Sequence, residues 1–237
     1  MNNFVWADLS TYDPGKSKPF YENVFDWQFH NADGYFVAMQ GSVETTGMFE
    51  TPEFFKKIKM PHFWMSYIAV DNVVRVSEIA KEFDDAKVEL TDEFYGGNIA
   101  LIRDPQGAGF TIYDGGKLDS RKNKAGHMMW NELHVSGTRS VIPFYERLFS
   151  WTIRQGKSAG KYHVFNANQE HISDISMIPN ELKGKYEYWV CTFAVDNLKR
   201  VRTRIEENGG AVVFDEGKRV MMHDNSGEAF FYIQSVT

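Results

Sequence analysis

From Phe4 to Thr11 the chain alternates as a strand does, with Trp6, Asp8 and Ser10 on one parity and Ala7 and Leu9 on the other. The period then changes. Phe20, Tyr21, Val24 and Phe25 recur at helical spacing behind Pro19, a residue suited to a helix's first turn. Short apolar runs at Trp27 to Phe29, Tyr35 to Gln40 and Thr45 to Phe49 read as strands, separated by Asp33-Gly34 and Gly41. A new strand opens at Phe63 and runs to Val70. Asp71 is the expected N-cap of a helix ending near Ala86. Lys87 to Asp92, Asn98 to Arg103 and Gly109 to Tyr113 are further strands. The stretch therefore reads as strand, helix, strands, said twice.

The remainder of the chain repeats it. Trp6 to Trp27 (WADLSTYDPGKSKPFYENVFDW) returns as Trp130 to Trp151 (WNELHVSGTRSVIPFYERLFSW), 124 residues later at both ends. FWMSYIAVDNVVRV at Phe63 returns as YWVCTFAVDNLKRV at Tyr188, and DPQGAGFTIY at Asp104 as DNSGEAFFYI at Asp224. Three landmarks in the same order imply an internal duplication. Asp114 to Gly126, polar and glycine-rich, reads as the join. The expected domains are 1–118 and 119–237. In the second, Asp196-Asn197 caps a helix reaching about Asn208, which Gly209-Gly210 stops.

Composition narrows the function classes. With 43% hydrophobic and 15% aromatic residues the chain of 237 residues can bury a sizeable core. A net charge of −6 without like-charge blocks argues against nucleic acid or an anionic membrane as partner. The lone Cys191 excludes an intrachain disulfide and reads as buried and inert. No apolar run is long enough for a membrane helix, and MNNFVWADLS lacks the marks of a signal peptide, so a cytoplasmic location is expected.

W-x-[DE]-L, then PFYxxxFxW, then a strand ending in VDN, then Asp-x-x-Gly before a last aromatic strand resembles the vicinal oxygen chelate superfamily. That superfamily includes glyoxalase I, bleomycin-resistance proteins and extradiol dioxygenases, and the likeness to its two-domain glyoxalase-like members covers nearly the whole chain. It implies an α+β fold of four βαβββ modules with curved mixed sheets, each half forming a cup open to a small-molecule ligand. It leaves a homodimer open. It also implies where a divalent metal would be held: Trp6, Met65 and Thr111 in the first half, and Trp130, Val190 and Phe231 in the second. None of these is a credible ligand for zinc, nickel or iron. No metal or other cofactor is therefore expected, and glyoxalase I and dioxygenase chemistry is put in doubt.

By alternation, Trp130, Glu132 and His134 share one strand face while Leu133 and Val135 lie behind. Trp6 and Trp130 read equally as core aromatics or as walls on which a ligand stacks. Glu132 beside His134 suggests acid–base work. An acid on such a face is as readily the partner of a buried Arg, Tyr or Trp N–H as a catalyst. His134 near the strand end reads more simply as solvated, and His163 and His171 as surface residues. Tyr67 and Thr111 are candidates to orient a ligand in the first half. Thr192 is the candidate in the second, where Phe231 is expected to fill part of the cup. The first-half cup, around Trp6, Asp8, Tyr67 and Thr111, is thus expected to be the more open. Two functions follow: a metal-free small-molecule binder, or a lyase or isomerase acting on an oxygenated carbonyl compound with Asp8 or Glu132 as base. A sensor is a weaker third, since no DNA-binding segment accompanies the repeats.

Overall fold

The computed structural model describes residues 2–119, 123–179 and 187–236. The first half holds β1 (Phe4–Thr11), α1 (Pro14–Phe25), β2 (Gln28–Ala32), β3 (Tyr35–Gln40), β4 (Val43–Glu50) and the short α2 (Glu53–Lys57). It continues with β5 (Phe63–Ala69), α3 (Val73–Ala80), β6 (Lys87–Phe94), β7 (Gly97–Arg103) and β8 (Gly109–Tyr113). The second half repeats the plan: β9 (Met128–Val135), α4 (Val141–Phe149), β10 (Thr152–Gln155), β11 (Lys161–Phe165) and β12 (His171–Met177). Then come β13 (Tyr188–Val195), α5 (Leu198–Glu207), β14 (Ala211–Asp215), β15 (Arg219–His223) and β16 (Phe230–Ser235).

The helix boundaries correct the reading from sequence in two places. Two prolines compete for the first turn of α1, and the cap decides between them. Asp13 accepts the N–H of Lys16, so Pro14 opens the helix and Pro19 lies inside it. In α3 the cap is Asn72, not Asp71: its side chain accepts from the Arg75 N–H at 2.7 Å, and the helix stops at Ala80. Asn197 does the same for Arg200 at 2.9 Å. Each VDN landmark ends in a strand-to-helix cap.

Each half supplies one eight-stranded mixed sheet. The orders are β2-β3-β4-β1-β5-β8-β7-β6 and β10-β11-β12-β9-β13-β16-β15-β14, the same pattern shifted by eight strands. Within each module the first strand pairs in parallel with the last, and the rest pair antiparallel. The four βαβββ modules of an α+β fold are therefore present. By compactness the chain divides differently. One unit takes Met1–Val5, Ser66–Asp119 and Trp130–Val190, the second and third modules; the other takes Trp6–Met65, Ser120–Met129 and Cys191–Thr237, the first and fourth.

The duplicated landmarks meet inside these units. In the first, Tyr145 of PFYE donates to Asp104 of Asp-x-x-Gly at 2.9 Å and accepts from the indole of Trp189 at 2.9 Å. In the second, Tyr21 donates to Asp224 at 3.1 Å and accepts from Trp64 at 3.2 Å. All six groups are buried. Around Tyr145 lie Phe110, Phe144, Phe149 and Trp151; around Tyr21 lie Phe20, Phe25, Trp27 and Phe231. A buried carboxylate is tolerated only with such donors. Burial still pushes the Asp104 carboxyl up to about 6 against the N–H groups and the Tyr145 hydroxyl that pull it down.

Candidate functional site

The site is built on one face of β9, β12 and β11. In the register Glu132 pairs with Asp174 and His134 with Ser176, while Asp174 pairs with His163 and Ser176 with Lys161. Period-two alternation therefore brings six polar side chains to a single face.

Glu132 is at its centre, 1% exposed. Its Oε1 accepts from Lys161 Nζ at 3.0 Å and from the Ser176 hydroxyl, and lies 3.1 Å from His134 Nε2. A carboxylate only accepts, so the imidazole carries hydrogen on Nε2, leaving Nδ1 to accept from the Tyr188 hydroxyl at 3.2 Å. Burial, then the charges of Glu132 and Glu187, hold the Tyr188 phenol above its ordinary range, so it remains a donor. His134 is thus not the solvated strand-end residue expected from sequence. It is buried and forms the middle of a Tyr188–His134–Glu132 chain. Lys161 also donates to Ser176 at 2.5 Å, yet its side chain remains 41% exposed. A cation fixed at its tip by a buried carboxylate can receive a ligand oxygen from the open side.

A second cluster adjoins it. Asp174 Oδ1 lies 2.7 Å from His163 Nδ1 and 2.8 Å from His171 Nε2, and Oδ2 accepts from the indole of Trp130 at 3.2 Å. The His171 ring stands edge-on to Trp130 at 4.8 Å. His163 and His171 are partly exposed, as a surface reading requires, but they converge on one carboxylate.

The first half carries the same first-strand acid in other company. Asp8 accepts from Trp6 Nε1 at 2.7 Å and from the Tyr35 hydroxyl at 2.5 Å. Tyr35 occupies the register position of Lys161, and Gly47 that of Asp174. A Cβ on Gly47 would stand 1.8 Å from the Tyr35 oxygen and 2.1 Å from Asp8 Oδ1. Here the acid serves as partner to an indole and a phenol, and Trp6 is core.

The other candidates lie apart from these networks. Tyr67 and Thr111 face each other across β5 and β8, with Phe94 5.9 Å from the Tyr67 ring. Thr192 pairs with Tyr232, and its buried hydroxyl has no hydrogen-bond partner among the described residues. Phe231 corrects an expectation. Matching it to Thr111 overlooks one extra residue after the Asp-x-x-Gly turn: Asp104 N–H bonds Ala108, four residues on, whereas Asp224 N–H bonds Ala229, five on. A one-residue slip turns a strand side chain to the opposite face. Phe231 therefore packs against Tyr21, Phe25 and Phe193, and Tyr232 takes the position of Thr111. It does not plug the second half.

The metal positions implied by the resemblance fail on the same geometry. Val190 is a fully buried apolar group, Met65 is buried, Thr111 offers only a hydroxyl, and Tyr232, which takes the place assigned to Phe231, donates its hydroxyl to Glu216 at 3.2 Å. Trp6 and Trp130 present indole N–H groups already donated to Asp8 and Asp174. A divalent ion does not fit there.

Residues 3–112 match the model of the Glyoxalase/Bleomycin resistance protein/Dioxygenase superfamily. A Mycobacterium tuberculosis protein named "Putative glyoxylase CFP32" is 24% identical over 95% of this chain and 92% of its own. The Streptomyces peucetius protein named "Anthracycline biosynthesis protein DnrV" is 21% identical over 97% and 92%. The Mn(II)-bound glyoxalase of Novosphingobium aromaticivorans superposes on 100% of this chain and 83% of its own, with a TM-score of 0.67 at 12% identity. The first half, residues 3–112, thus matches the glyoxalase/bleomycin resistance/dioxygenase superfamily, and the second half repeats its order of strands. Among the described residues no helix is long and apolar enough to cross a membrane.

Alternation made Trp130, Glu132 and His134 legible in the sequence. Lys161, Asp174, Ser176 and Tyr188 were not found. The signal for Lys161 lies in KYHVF, where it alternates with Tyr162 on the same parity as His163, but the strand-to-strand register that brings it to Glu132 is tertiary.

Proposed function

We propose that the chain binds a small oxygenated molecule against the Glu132 face of β9, β11 and β12, with no metal at the positions the superfamily uses. The observation that carries this reading is Lys161: its ammonium is anchored by a buried carboxylate while its side chain remains accessible. Beside it the half-buried Trp130 indole offers an aromatic surface. A ligand with a carbonyl or hydroxyl oxygen and a flat apolar body suits both groups, as small-molecule sites generally combine apolar walls with a few placed polar groups. Relatives named for glyoxylase activity and for anthracycline biosynthesis are in keeping with such a ligand. The segments 1–118 and 119–237 then act as two glyoxalase-like domains of unequal function, Asp8 in the first being engaged by Trp6 and Tyr35.

A second reading, a lyase or isomerase acting on an oxygenated carbonyl compound, is favoured by the Tyr188–His134–Glu132 chain. Glu132 is the base in that reading, Lys161 holds the carbonyl oxygen as charge develops on it, and His134 steadies the carboxylate. The test is a thermal-shift screen of oxygenated aromatic and dicarbonyl compounds. Hits should stabilise the wild type and Asp8→Asn alike and lose their effect in Lys161→Met. Retention in Lys161→Met would sink the proposal. The enzyme reading adds deuterium exchange next to the carbonyl of a hit, followed by NMR, that Glu132→Gln abolishes.

A further inference from the structure

The structure assigns a binding site for a divalent transition-metal ion to His163, His171 and Asp174, none of which is among the positions tested above. The inference stands on the cluster itself and does not depend on the proposed ligand. The three donor atoms lie within 4.8 Å of one another, with both imidazole nitrogens in contact with the same carboxylate oxygen. Bonds of ~2.1 Å at tetrahedral angles ask the two nitrogens to stand about 3.4 Å apart. The donors lie within 4.8 Å of one another, so rotation of these partly exposed rings on adjoining strands would have about 1.4 Å or less to close.

Three features separate this from an ordinary surface cluster. The Trp130 indole donates to the other oxygen of Asp174, orienting the ligand carboxylate as an outer-shell partner does. His171 is delivered by a structured turn, in which Asn166 accepts the N–H groups of Asn168 and Glu170, and its ring is flanked by Trp130 and Phe165. The neighbouring cations are also drawn off. Arg154, across from His163, lies over Phe165 at 4.8 Å and donates to Gln169, while Lys161 is held by Glu132. Two imidazoles and one carboxylate suit zinc, cobalt or nickel rather than magnesium or calcium, and leave coordination positions open on the exposed side. Asp174 and Glu132 are register partners, so the ion would lie one strand from the acid–base network.

The test titrates the metal-free full chain with zinc by calorimetry and with cobalt by visible absorption. One equivalent of zinc should bind, displace cobalt and raise the melting midpoint. His163→Ala and His171→Ala should each lower affinity by more than about a hundredfold, and Trp130→Phe by about tenfold. His30→Ala, on exposed β2, should leave binding unchanged, and circular dichroism establishes that each variant is folded. Absence of stoichiometric zinc binding, or binding that survives both cluster histidine variants, overturns the assignment. So does binding lost in Glu132→Gln but kept in His171→Ala, which would put the ion at Glu132 and His134 instead.

Discussion

Tyr145→Phe tests whether the duplicated landmarks hold the fold through their buried hydrogen bonds. The substitution leaves the ring, and so the contacts with Phe110, Trp151 and Trp189, in place. It removes only the hydroxyl that donates to Asp104 and accepts from Trp189, both at 2.9 Å. A bond to a charged acceptor is worth about 1.5–3 kcal/mol, and leaving the Trp189 N–H buried without a partner costs about 1–3 kcal/mol. The expected destabilisation is therefore about 3–5 kcal/mol near pH 8, where Asp104 is ionised. It should shrink near pH 4, because Asp104 is then protonated and the lost bond is one to a neutral group. Urea unfolding followed by tryptophan fluorescence at the two pH values measures both quantities. A cost below about 1 kcal/mol, or one independent of pH, would refute the argument.

Three further outcomes are expected. Asp104 titrates near 6 in the folded chain against 3.8 unfolded, so its contribution is fully present below about pH 4 and falls as pH rises through 6. The loss is ~3 kcal/mol at ~1.36 kcal/mol per pH unit, opposite in sign to a salt-bridged aspartate, and Asp104→Asn should flatten it in a pH series of unfolding midpoints. Gly47→Ala should destabilise by more than about 2 kcal/mol by calorimetry, since its Cβ meets Tyr35 and Asp8 below contact distance; pairing it with Tyr35→Phe should recover part of the loss. Thr192→Val removes a buried hydroxyl without a hydrogen-bond partner among the described residues while keeping its shape, and should be neutral or stabilising by about 1 kcal/mol.

What the sequence made legible follows from which interactions are local. Alternation at Trp130, Glu132 and His134 correctly set their common face, because strand geometry alone decides it. The repeats of PFYE, VDN and Asp-x-x-Gly marked the modules, although nothing in them says that Tyr145 meets Asp104 or that Tyr21 meets Asp224. That pairing joins residues 41 and 203 positions apart. The start of α1 was misplaced because Pro19 is a start signal only when no capped proline precedes it, and Asp13-Pro14 does. Phe231 was misassigned because alignment by the Asp-x-x-Gly glycine ignores a single added residue, enough to turn the strand over. His163 had no visible partner because Asp174 meets it through a hairpin register, while His171 lies three residues before Asp174, a spacing that strand alternation sets on opposite faces.

On the proposed function the Glu132 face, and not its Asp8 counterpart, receives the ligand. The most direct measurement is an amide NMR titration of the wild-type chain with a compound that stabilises it in the thermal screen. Shift changes should gather on residues 130–135, 161–165 and 171–177 and at Tyr188, and should be lost in Lys161→Met. Changes gathered on β1 and β3 around Asp8 and Tyr35, with the Glu132 strands unmoved, would contradict the account.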